Sequence, residues 1–182
     1  MAAGIPVNTQ PTTTEAAPPP QETATGEAIR EAVREQALRW LDRREYAHGE
    51  LQRRLRSKGY PGDTIDDCLD ALEQAGLQSD RRFTEEYIRM RHRRGYGPLR
   101  ITAELGERGI TRGLIDELLD ADAGHWRQQA DHALQKRYPE PPPDLRERAR
   151  RERFLRNRGF STDQVRAAMR HYRHPEHSTP SD

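Results

Sequence analysis

A pattern of leucine, glycine and further apolar residues recurs every 50 residues along this 182-residue chain. Five columns align in three copies without a gap, and from the first copy to the third they are Leu55, Leu105 and Leu155; Gly59, Gly109 and Gly159; Tyr60, Ile110 and Phe160; Ile65, Ile115 and Val165; and Leu69, Leu119 and Met169. A unit of about 50 residues buries too little surface to be stable alone. Stacked units share interfaces, so the repeat predicts an elongated array rather than one large core.

Each copy has the pattern of helices that meet at a glycine. Apolar residues recur at helical spacing, and glycine readily takes the left-handed conformation that ends a helix. Ser161 and Gln164 form a capping-box pattern for the helix that follows, and Asp63 and Thr111 are expected to cap its counterparts. Runs of alternating apolar residues, typical of strands, are absent. A further helix is expected before each pair, at residues 37–45, 81–94 and 126–137. The predicted fold is therefore all-α, with three tandem three-helix repeats.

Changes in composition along the chain predict where the helical repeats and the two tails begin and end. Residues 1–28 are rich in Ala, Pro, Thr, Gln and Glu without helical periodicity, so they are predicted to be a disordered N-terminal tail. We expect the three helical repeats at residues 29–78, 79–122 and 123–174. Residues 175–182 are predicted to be a second disordered tail.

Composition also excludes several classes of protein. Charged residues make up 34% of the chain, and no run approaches the roughly 18 apolar residues of a membrane-spanning helix. Cys68 is the single cysteine, which excludes an internal disulfide and suits the reducing cytoplasm. Its apolar-periodic context predicts a small core residue.

Catalytic and metal-binding patterns are also missing from the sequence. No glycine-rich phosphate loop ends in Lys-Ser or Lys-Thr, and no Ser, His and Asp set stands out. His171, His174 and His177 recur every three residues, but Pro175 interrupts a helix there. We therefore expect no enzyme activity, no cofactor and no metal site.

Basic residues occur in blocks and are almost all arginine. Lys58 and Lys136 are the only lysines among the 31 basic residues. Residues 81–112 contain nine arginines against four acidic residues, and residues 145–174 contain ten against three. Arginine pairs with phosphate or carboxylate groups through two-point geometry, so these blocks suit a polyanionic partner.

The candidate binding surface lies mainly in the second repeat. On a helix, Arg82, Arg89 and Arg93 fall within about 40° of one another. Two glycines then flank Tyr96, in a loop that offers backbone N–H groups. The full set of candidate contact residues, taken from the first and second repeats, is Arg43, Arg44, Lys58, Arg82, Arg89, Arg91, Arg93, Arg94, Tyr96 and Arg100.

Other interpretations of these arginines stay open. In the second repeat the alternative is a solvated helix face, on which Glu85 and Glu86 pair with Arg89. Arginines of the first repeat alternate with acidic residues, which favours a solvated face there. Six arginines between residues 148 and 158 face few acids, which favours an anionic partner. Arg151 takes the column of Leu51 and Ile101, and we expect Phe154 to compensate.

Two stretches of the chain resemble one known family. Residues 41–46 (LDRREY) and 50–60 (ELQRRLRSKGY) resemble the first repeat of the RecX family of recombinase regulators. Residues 77–83 (LQSDRRF) and 94–110 (RGYGPLRITAELGERGI) are similar to its second repeat. The resemblance spans residues 35–170 and is most specific in the second repeat.

The resemblance implies a small cytoplasmic protein of three three-helix repeats that regulates the RecA recombinase in DNA repair and the SOS response. Family members bind the RecA filament on single-stranded DNA, lie in its helical groove, and limit filament growth, ATP hydrolysis and strand exchange. Some also bind single- or double-stranded DNA directly. We expect a monomer without membrane contact. The alternatives are a DNA-binding protein with helix-turn-helix-like repeats and a protein-binding scaffold unrelated to recombination.

Overall fold

The computed structural model describes residues 20–119 and 123–171, and every regular element in them is an α-helix. The helices are α1 (Pro20–Leu41), α2 (His48–Ser57), α3 (Gly62–Gln74), α4 (Asp80–Arg93), α5 (Pro98–Gly106), α6 (Arg112–Leu118), α7 (Ala123–Arg137), α8 (Leu145–Asn157) and α9 (Thr162–His171). They pack mainly in consecutive groups of three, which confirms the predicted all-α repeats. Within these ranges, none combines the length and apolar character that a membrane span requires.

A glycine with positive φ closes the middle helix of each repeat, as predicted. The φ angles are 86° at Gly59, 92° at Gly109 and 87° at Gly159. The next residue then donates its N–H to the aligned leucine carbonyl, from Tyr60 to Leu55, Ile110 to Leu105 and Phe160 to Leu155. This bond satisfies a carbonyl at the helix end and turns an apolar side chain back toward the helix.

Capping follows the prediction fully at one helix, in position only at a second, and departs from it at a third. The Ser161 N–H donates to Gln164 Oε1 at 2.8 Å, and the Gln164 N–H donates to Ser161 Oγ at 3.3 Å, which confirms the capping box. Ser79 Oγ likewise caps α4. Thr111 occupies the predicted N-cap position of α6, whereas the predicted cap at Asp63 is wrong. Asp63 lies inside the first turn because α3 begins one residue earlier, and the Thr111 hydroxyl makes no cap hydrogen bond.

The first helix is longer at its start and shorter at its end than expected. Residues 20–28, predicted to be part of the tail, form the beginning of α1, where a proline is tolerated at the first position. The helix ends at Leu41 rather than residue 45, because the chain tightens into a turn in which the Arg43 N–H donates to the Trp40 carbonyl at 3.1 Å. The rest of both predicted tails, with residues 120–122 and 172–174, lies outside the described residues.

Two apolar clusters form the interior. The first belongs to the first repeat and has as its buried members Val33, Ala37, Tyr46, Leu51, Leu55, Ile65, Leu69 and Leu72. The second runs continuously through the second and third repeats, from Phe83 and Tyr87 to Trp126, Leu155 and Phe160. Trp40 and Cys68 are only half-buried against the first cluster, and burial raises the pKa of the Cys68 thiol.

Backbone contact joins the second repeat to the third. The Gly97 N–H donates to the Arg158 carbonyl at 2.7 Å, and the Leu99 N–H donates to the Gly159 carbonyl at 3.0 Å. The two glycines lie so close that a Cβ atom on Gly97 would stand 2.5 Å from the Gly159 carbonyl carbon. Arg100 adds a side-chain hydrogen bond to the Asn157 carbonyl at 3.2 Å.

The first and second repeats meet through the same kind of approach, with polar side chains around it. A Cβ atom on Gly49 would stand 2.8 Å from the Arg108 carbonyl oxygen. Asp80 Oδ1 accepts hydrogen bonds from the His48 N–H at 2.7 Å and from Gln78 Nε2 at 2.9 Å. Gln78 is buried, and its Nε2 also donates to the Tyr46 carbonyl at 3.2 Å, which compensates the cost of removing this nitrogen from water.

Arg151 anchors the proline-containing connection of the third repeat. Its side chain is buried, its Nη1 donates to the Glu140 carbonyl, and its guanidinium lies 4.9 Å from the centre of the Tyr138 ring. The Phe154 ring meets Tyr138 edge-on at 5.6 Å. The expected compensation by Phe154 therefore takes the form of an aromatic pair that supports a buried cation.

Candidate functional site

The ten candidate contact residues divide into two sets. Five are held by contacts inside the protein and are called the engaged set: Arg44, Arg82, Arg91, Tyr96 and Arg100. Five others are exposed, and their side chains make no hydrogen bond or ion pair with the described residues; they are called the free set: Arg43, Lys58, Arg89, Arg93 and Arg94.

Glu104 holds two members of the engaged set. Its carboxylate lies 2.7 Å from Arg91 Nε and 2.9 Å from Arg100 Nε, and it accepts a hydrogen bond from the Tyr87 hydroxyl at 2.8 Å. Burial raises the pKa of Glu104, but the hydrogen bonds from Arg100 and Tyr87 and the charge of Arg91 outweigh it, so the pKa is lowered overall. The Arg91 side chain is only 17% exposed, which makes this cluster structural.

Tyr96 lies at the centre of three guanidinium groups. The distances from its ring centre are 5.0 Å to Arg91, 4.7 Å to Arg100 and 4.9 Å to Arg158. Arg158 comes from the third repeat and also donates a hydrogen bond to the Arg94 carbonyl at 2.6 Å. Cation–π attraction at this point links the second repeat to the third.

Arg82 acts at the joint between the first and second repeats, and Arg44 is held within the first repeat. Arg82 Nε lies 2.7 Å from a Glu45 carboxylate oxygen, so this arginine bridges the second repeat to the first. Arg44 pairs with Glu50 at 3.0 Å and stacks on Tyr46, with 3.6 Å between its guanidinium carbon and the ring centre. The predicted stripe of three arginines on α4 is therefore reduced to Arg89 and Arg93.

Three members of the free set lie together at the C-terminal end of α4. Arg89 and Arg93 are one turn apart, and Arg94 follows at the helix end. The predicted pairing of Arg89 with Glu85 or Glu86 does not occur among the described contacts. A helix C-terminus favours cations, and no hydrogen bond or ion pair with a described acidic side chain holds these exposed arginines.

The basic helix of the third repeat is neutralised within itself to a larger extent than expected. Arg148 and Arg156 both pair with Glu152, at 3.2 Å and 3.7 Å, and Arg150 pairs with Glu147 at 3.2 Å. Two acidic residues at helical spacing therefore serve three arginines. The predicted need for an anionic partner is correspondingly weaker at this helix than at the end of α4.

Two histidines that no sequence pattern indicated meet beside the free arginines. His92 on α4 and His125 on α7 stack with ring centres 4.7 Å apart. Burial, followed by the charges of His125 and His132, lowers the pKa of His92. Both rings line a cavity of about 300 Å³ that Arg89 and Arg93 also line.

One other group of titratable side chains was not foreseen. His48, Asp70 and Glu73 place one ligand atom each within 4.8 Å of the others, the one such group of three that the described residues contain. His48 Nε2 stands 3.7 Å from Asp70 Oδ1, and both acids are exposed. Of the three histidines that recur every three residues near the end of the chain, His174 and His177 lie outside the described residues.

Three family models match this chain in order. They describe the first, second and third three-helix domains of RecX and match residues 34–72, 79–119 and 127–169. The matched segments follow the three groups of helices. They cover well over half of the sequence, so they bear on the whole array and not on a single repeat.

Comparison with individual proteins also shows similarity to RecX. A protein named regulatory protein RecX, from Chromohalobacter salexigens, is 49% identical over 138 residues, which cover 76% of this chain and 91% of that protein. Another of that name, from Ectopseudomonas mendocina, is 44% identical over 140 residues, covering 76% and 93%. These names describe regulators rather than enzymes. The crystal structure of RecX from Lactobacillus salivarius matches with a TM-score of 0.69 at 20% identity, covering 81% of this chain and 98% of that one, and shares its fold.

Proposed function

The chain belongs to the RecX family of regulatory proteins, and we propose that it is a negative modulator of the RecA recombinase. In this proposal it binds the helical groove of the RecA filament on single-stranded DNA. It thereby limits filament growth, ATP hydrolysis and strand exchange during DNA repair and the SOS response. We further propose that it acts in the cytoplasm as a monomer.

We choose the contact surface from the free set, because its cations are exposed and unpaired. A cation already paired inside the protein gives up one partner when it gains another, whereas an exposed and unpaired cation does not. We therefore assign the main contact to Arg89, Arg93 and Arg94, with Arg43 and Lys58 as secondary contacts from the first repeat. Arg82, Tyr96 and Arg100 of the engaged set support binding indirectly, since each contacts a neighbouring repeat and holds it in a fixed relation.

The mechanism requires binding alone. A protein that contacts adjacent RecA subunits in one filament state, and fewer of them in another, shifts the population toward the first state. Contacts from two repeats on one array also reinforce each other, because the first contact raises the effective concentration for the second. Such binding lowers ATP hydrolysis without any catalytic group in this chain.

The test is the single-stranded-DNA-dependent ATPase of the cognate RecA, titrated with this protein. We expect inhibition at substoichiometric amounts, and weaker inhibition by the variant Arg93→Glu with Arg94→Glu. The matched control is Arg146→Glu with Arg153→Glu, which makes the same charge change at two exposed arginines of α8. Circular dichroism checks that both variants keep their helix content.

Each outcome has a separate meaning. Equal inhibition by the two variants would retain RecA regulation and overturn the assigned surface. No inhibition at equimolar protein would overturn the proposed function. Direct DNA binding would then be measured against salt, where the logarithm of affinity falls by about 0.9 per phosphate contacted for each unit of log salt.

A further inference from the structure

Three side chains from two helices of the first repeat converge at one point of its surface. His48 is the first residue of α2, and Asp70 and Glu73 lie one turn apart near the end of α3. Each offers one atom that can bind a metal ion, and the three atoms lie within 4.8 Å of one another. Both carboxylates are exposed and the His48 side chain is 26% exposed, so ions from solvent reach all three.

The separation of His48 from Asp70 suits a shared ion better than a direct bond. His48 Nε2 stands 3.7 Å from Asp70 Oδ1, beyond the range of about 2.7–3.2 Å for a hydrogen bond between nitrogen and oxygen. Zn²⁺ binds imidazole nitrogen and carboxylate oxygen at about 2.0–2.2 Å, which places two ligand atoms of a tetrahedral ion roughly 3.4 Å apart. Small rotations of the exposed carboxylates therefore bring the three atoms to the distances that such an ion requires.

The charge of α3 favours a cation at this end of the helix. A helix C-terminus carries partial negative charge, and basic residues are the favoured ones in its last turn. The last turn of α3 has no basic residue and contains Glu73 instead. Earlier in the helix Asp66 has Arg56 at 3.6 Å, whereas Asp70 and Glu73 have no arginine or lysine partner among the described contacts. A bound cation offsets this local excess of negative charge.

The donor set selects the class of ion. One imidazole nitrogen with two carboxylate oxygens suits Zn²⁺ and similar first-row transition metals, whereas Mg²⁺ and Ca²⁺ prefer oxygen ligands alone. Three protein ligands leave one position of a tetrahedral ion for water.

We propose that His48, Asp70 and Glu73 bind a divalent transition-metal ion of the Zn²⁺ class, with water completing its coordination. The inference revises the expectation, drawn from the sequence, of no metal site. That expectation missed these ligands because they come from two helices and share no short sequence motif. The inference goes beyond the proposed function and does not rest on it, since its test contains no RecA.

An ion at this position ties α2 to α3 beside the joint with the second repeat. The His48 main-chain N–H donates to Asp80 Oδ1 at the start of α4, and the adjacent Gly49 lies against the Arg108 carbonyl. An ion that binds only the folded arrangement stabilises it by mass action. Zn²⁺ is therefore expected to raise the urea concentration at the denaturation midpoint.

The test is a calorimetric titration of the full-length chain, without an affinity tag, with Zn²⁺ in a buffer that contains excess Mg²⁺. We expect one site whose affinity falls by about tenfold or more in His48→Gln and in Asp70→Asn, since loss of even a supporting partner costs about that much at metal sites. His48→Gln retains the main-chain N–H that bonds to Asp80. Co²⁺ gives a second readout, because its visible absorption spectrum reports the coordination, and this spectrum should be lost in His48→Gln.

Matched controls change the same residue types elsewhere. Asp67→Asn removes an exposed carboxylate from the same helix, and His132→Gln removes an exposed imidazole from α7. Both should leave the Zn²⁺ affinity unchanged. Zn²⁺ should raise the urea midpoint of the wild type and of both controls, and should not raise that of His48→Gln. Circular dichroism checks that each variant keeps its helix content.

Three results would overturn the proposal. They are the absence of Zn²⁺ binding in excess Mg²⁺, an affinity that His48→Gln leaves as unchanged as the controls do, and binding that is lost in His174→Gln with His177→Gln instead. The first would mark the two carboxylates as an ordinary acidic surface. The last would assign the ion to the histidines near the end of the chain.

Discussion

The joint between the second and third repeats and the joint between the first and second use the same glycine-to-glycine approach in different surroundings. At the later joint, a continuous apolar core runs on both sides, and the Gly97 N–H bonds directly to the Arg158 carbonyl. At the earlier joint, Ala47 is the one buried residue of the first repeat that this core includes, and the other contacts are polar, through Gln78, Asp80 and the ion pair of Arg82 with Glu45. The difference indicates that the last two repeats form one packed body, to which the first repeat is attached mainly by hydrogen bonds and an ion pair.

The largest expected effect is that of Gly97→Ala. The new Cβ atom would stand 2.5 Å from backbone atoms that cannot move without separating the two repeats. We expect a loss of about 3 kcal/mol or more in the free energy of unfolding, measured by urea denaturation. The control is Gly113→Ala in α6, which has open space and should gain roughly 0.5 kcal/mol from reduced chain entropy. Equal effects of the two substitutions would contradict the close approach.

The next effect compares an ion pair inside the second repeat with the ion pair that joins the first repeat to the second. Glu104→Gln leaves the largely buried Arg91 without its carboxylate, and we expect a loss of about 2 kcal/mol at pH 7. Glu45→Gln removes the more exposed partner of Arg82 and should cost less than about 1 kcal/mol. Thermal or urea denaturation measures both.

The pH dependence of the Glu104 effect follows from the sign of its pKa shift. Its pKa is lower in the folded protein, so its contribution is fully present above the unfolded pKa of about 4.3 and is lost as the pH falls through the folded value. The difference between wild type and Glu104→Gln should therefore shrink in acid. A difference that grows there would contradict the shift.

Gly49→Ala tests the polar joint and should have a smaller effect. Its Cβ atom would stand 2.8 Å from one carbonyl oxygen, and alanine is favoured over glycine within α2 by about 0.5–1 kcal/mol. We expect a net loss of about 1 kcal/mol by urea denaturation. A loss as large as that of Gly97→Ala would show that the two joints are equally rigid.

The smallest effect concerns His92, which packs between the second and third repeats. Its folded pKa is below the unfolded value of about 6.5, so its contribution is present above pH 6.5 and is lost as the pH falls toward the folded pKa. We expect wild type to lose slightly more stability between pH 7.5 and pH 5.5 than His92→Gln does. Parallel losses, measured by urea denaturation at each pH, would contradict this sign.

The array of helical repeats could be predicted from the sequence, because the patterns that specify it are local and periodic. The glycine columns predicted the turns at Gly59, Gly109 and Gly159, and the spacing of Ser161 and Gln164 predicted a capping box. Each of these features depends on neighbours within one or two turns. The start of α1 escaped prediction because residues 20–28 have no apolar face of helical spacing.

The candidate surface was predictable only in part, because long-range partners decide which cations remain free. Arg82 forms an ion pair with Glu45, 37 residues away, and Arg91 forms one with Glu104, 13 residues away. The helical pairing rule applied to Arg89 instead proposed acidic partners that it does not contact. The stack of His92 on His125 arises from packing between two repeats, and no spacing in the sequence indicates it.

The most direct test of the proposed surface is binding to the filament itself. Fluorescently labelled protein would be titrated with cognate RecA filaments on single-stranded DNA, held by a slowly hydrolysed ATP analogue, and binding followed by anisotropy. Combined Arg89→Glu, Arg93→Glu and Arg94→Glu should weaken binding by roughly tenfold or more, while Arg146→Glu with Arg153→Glu leaves it within about twofold. Equal affinity of the two variants would contradict the assignment of filament binding to the end of α4.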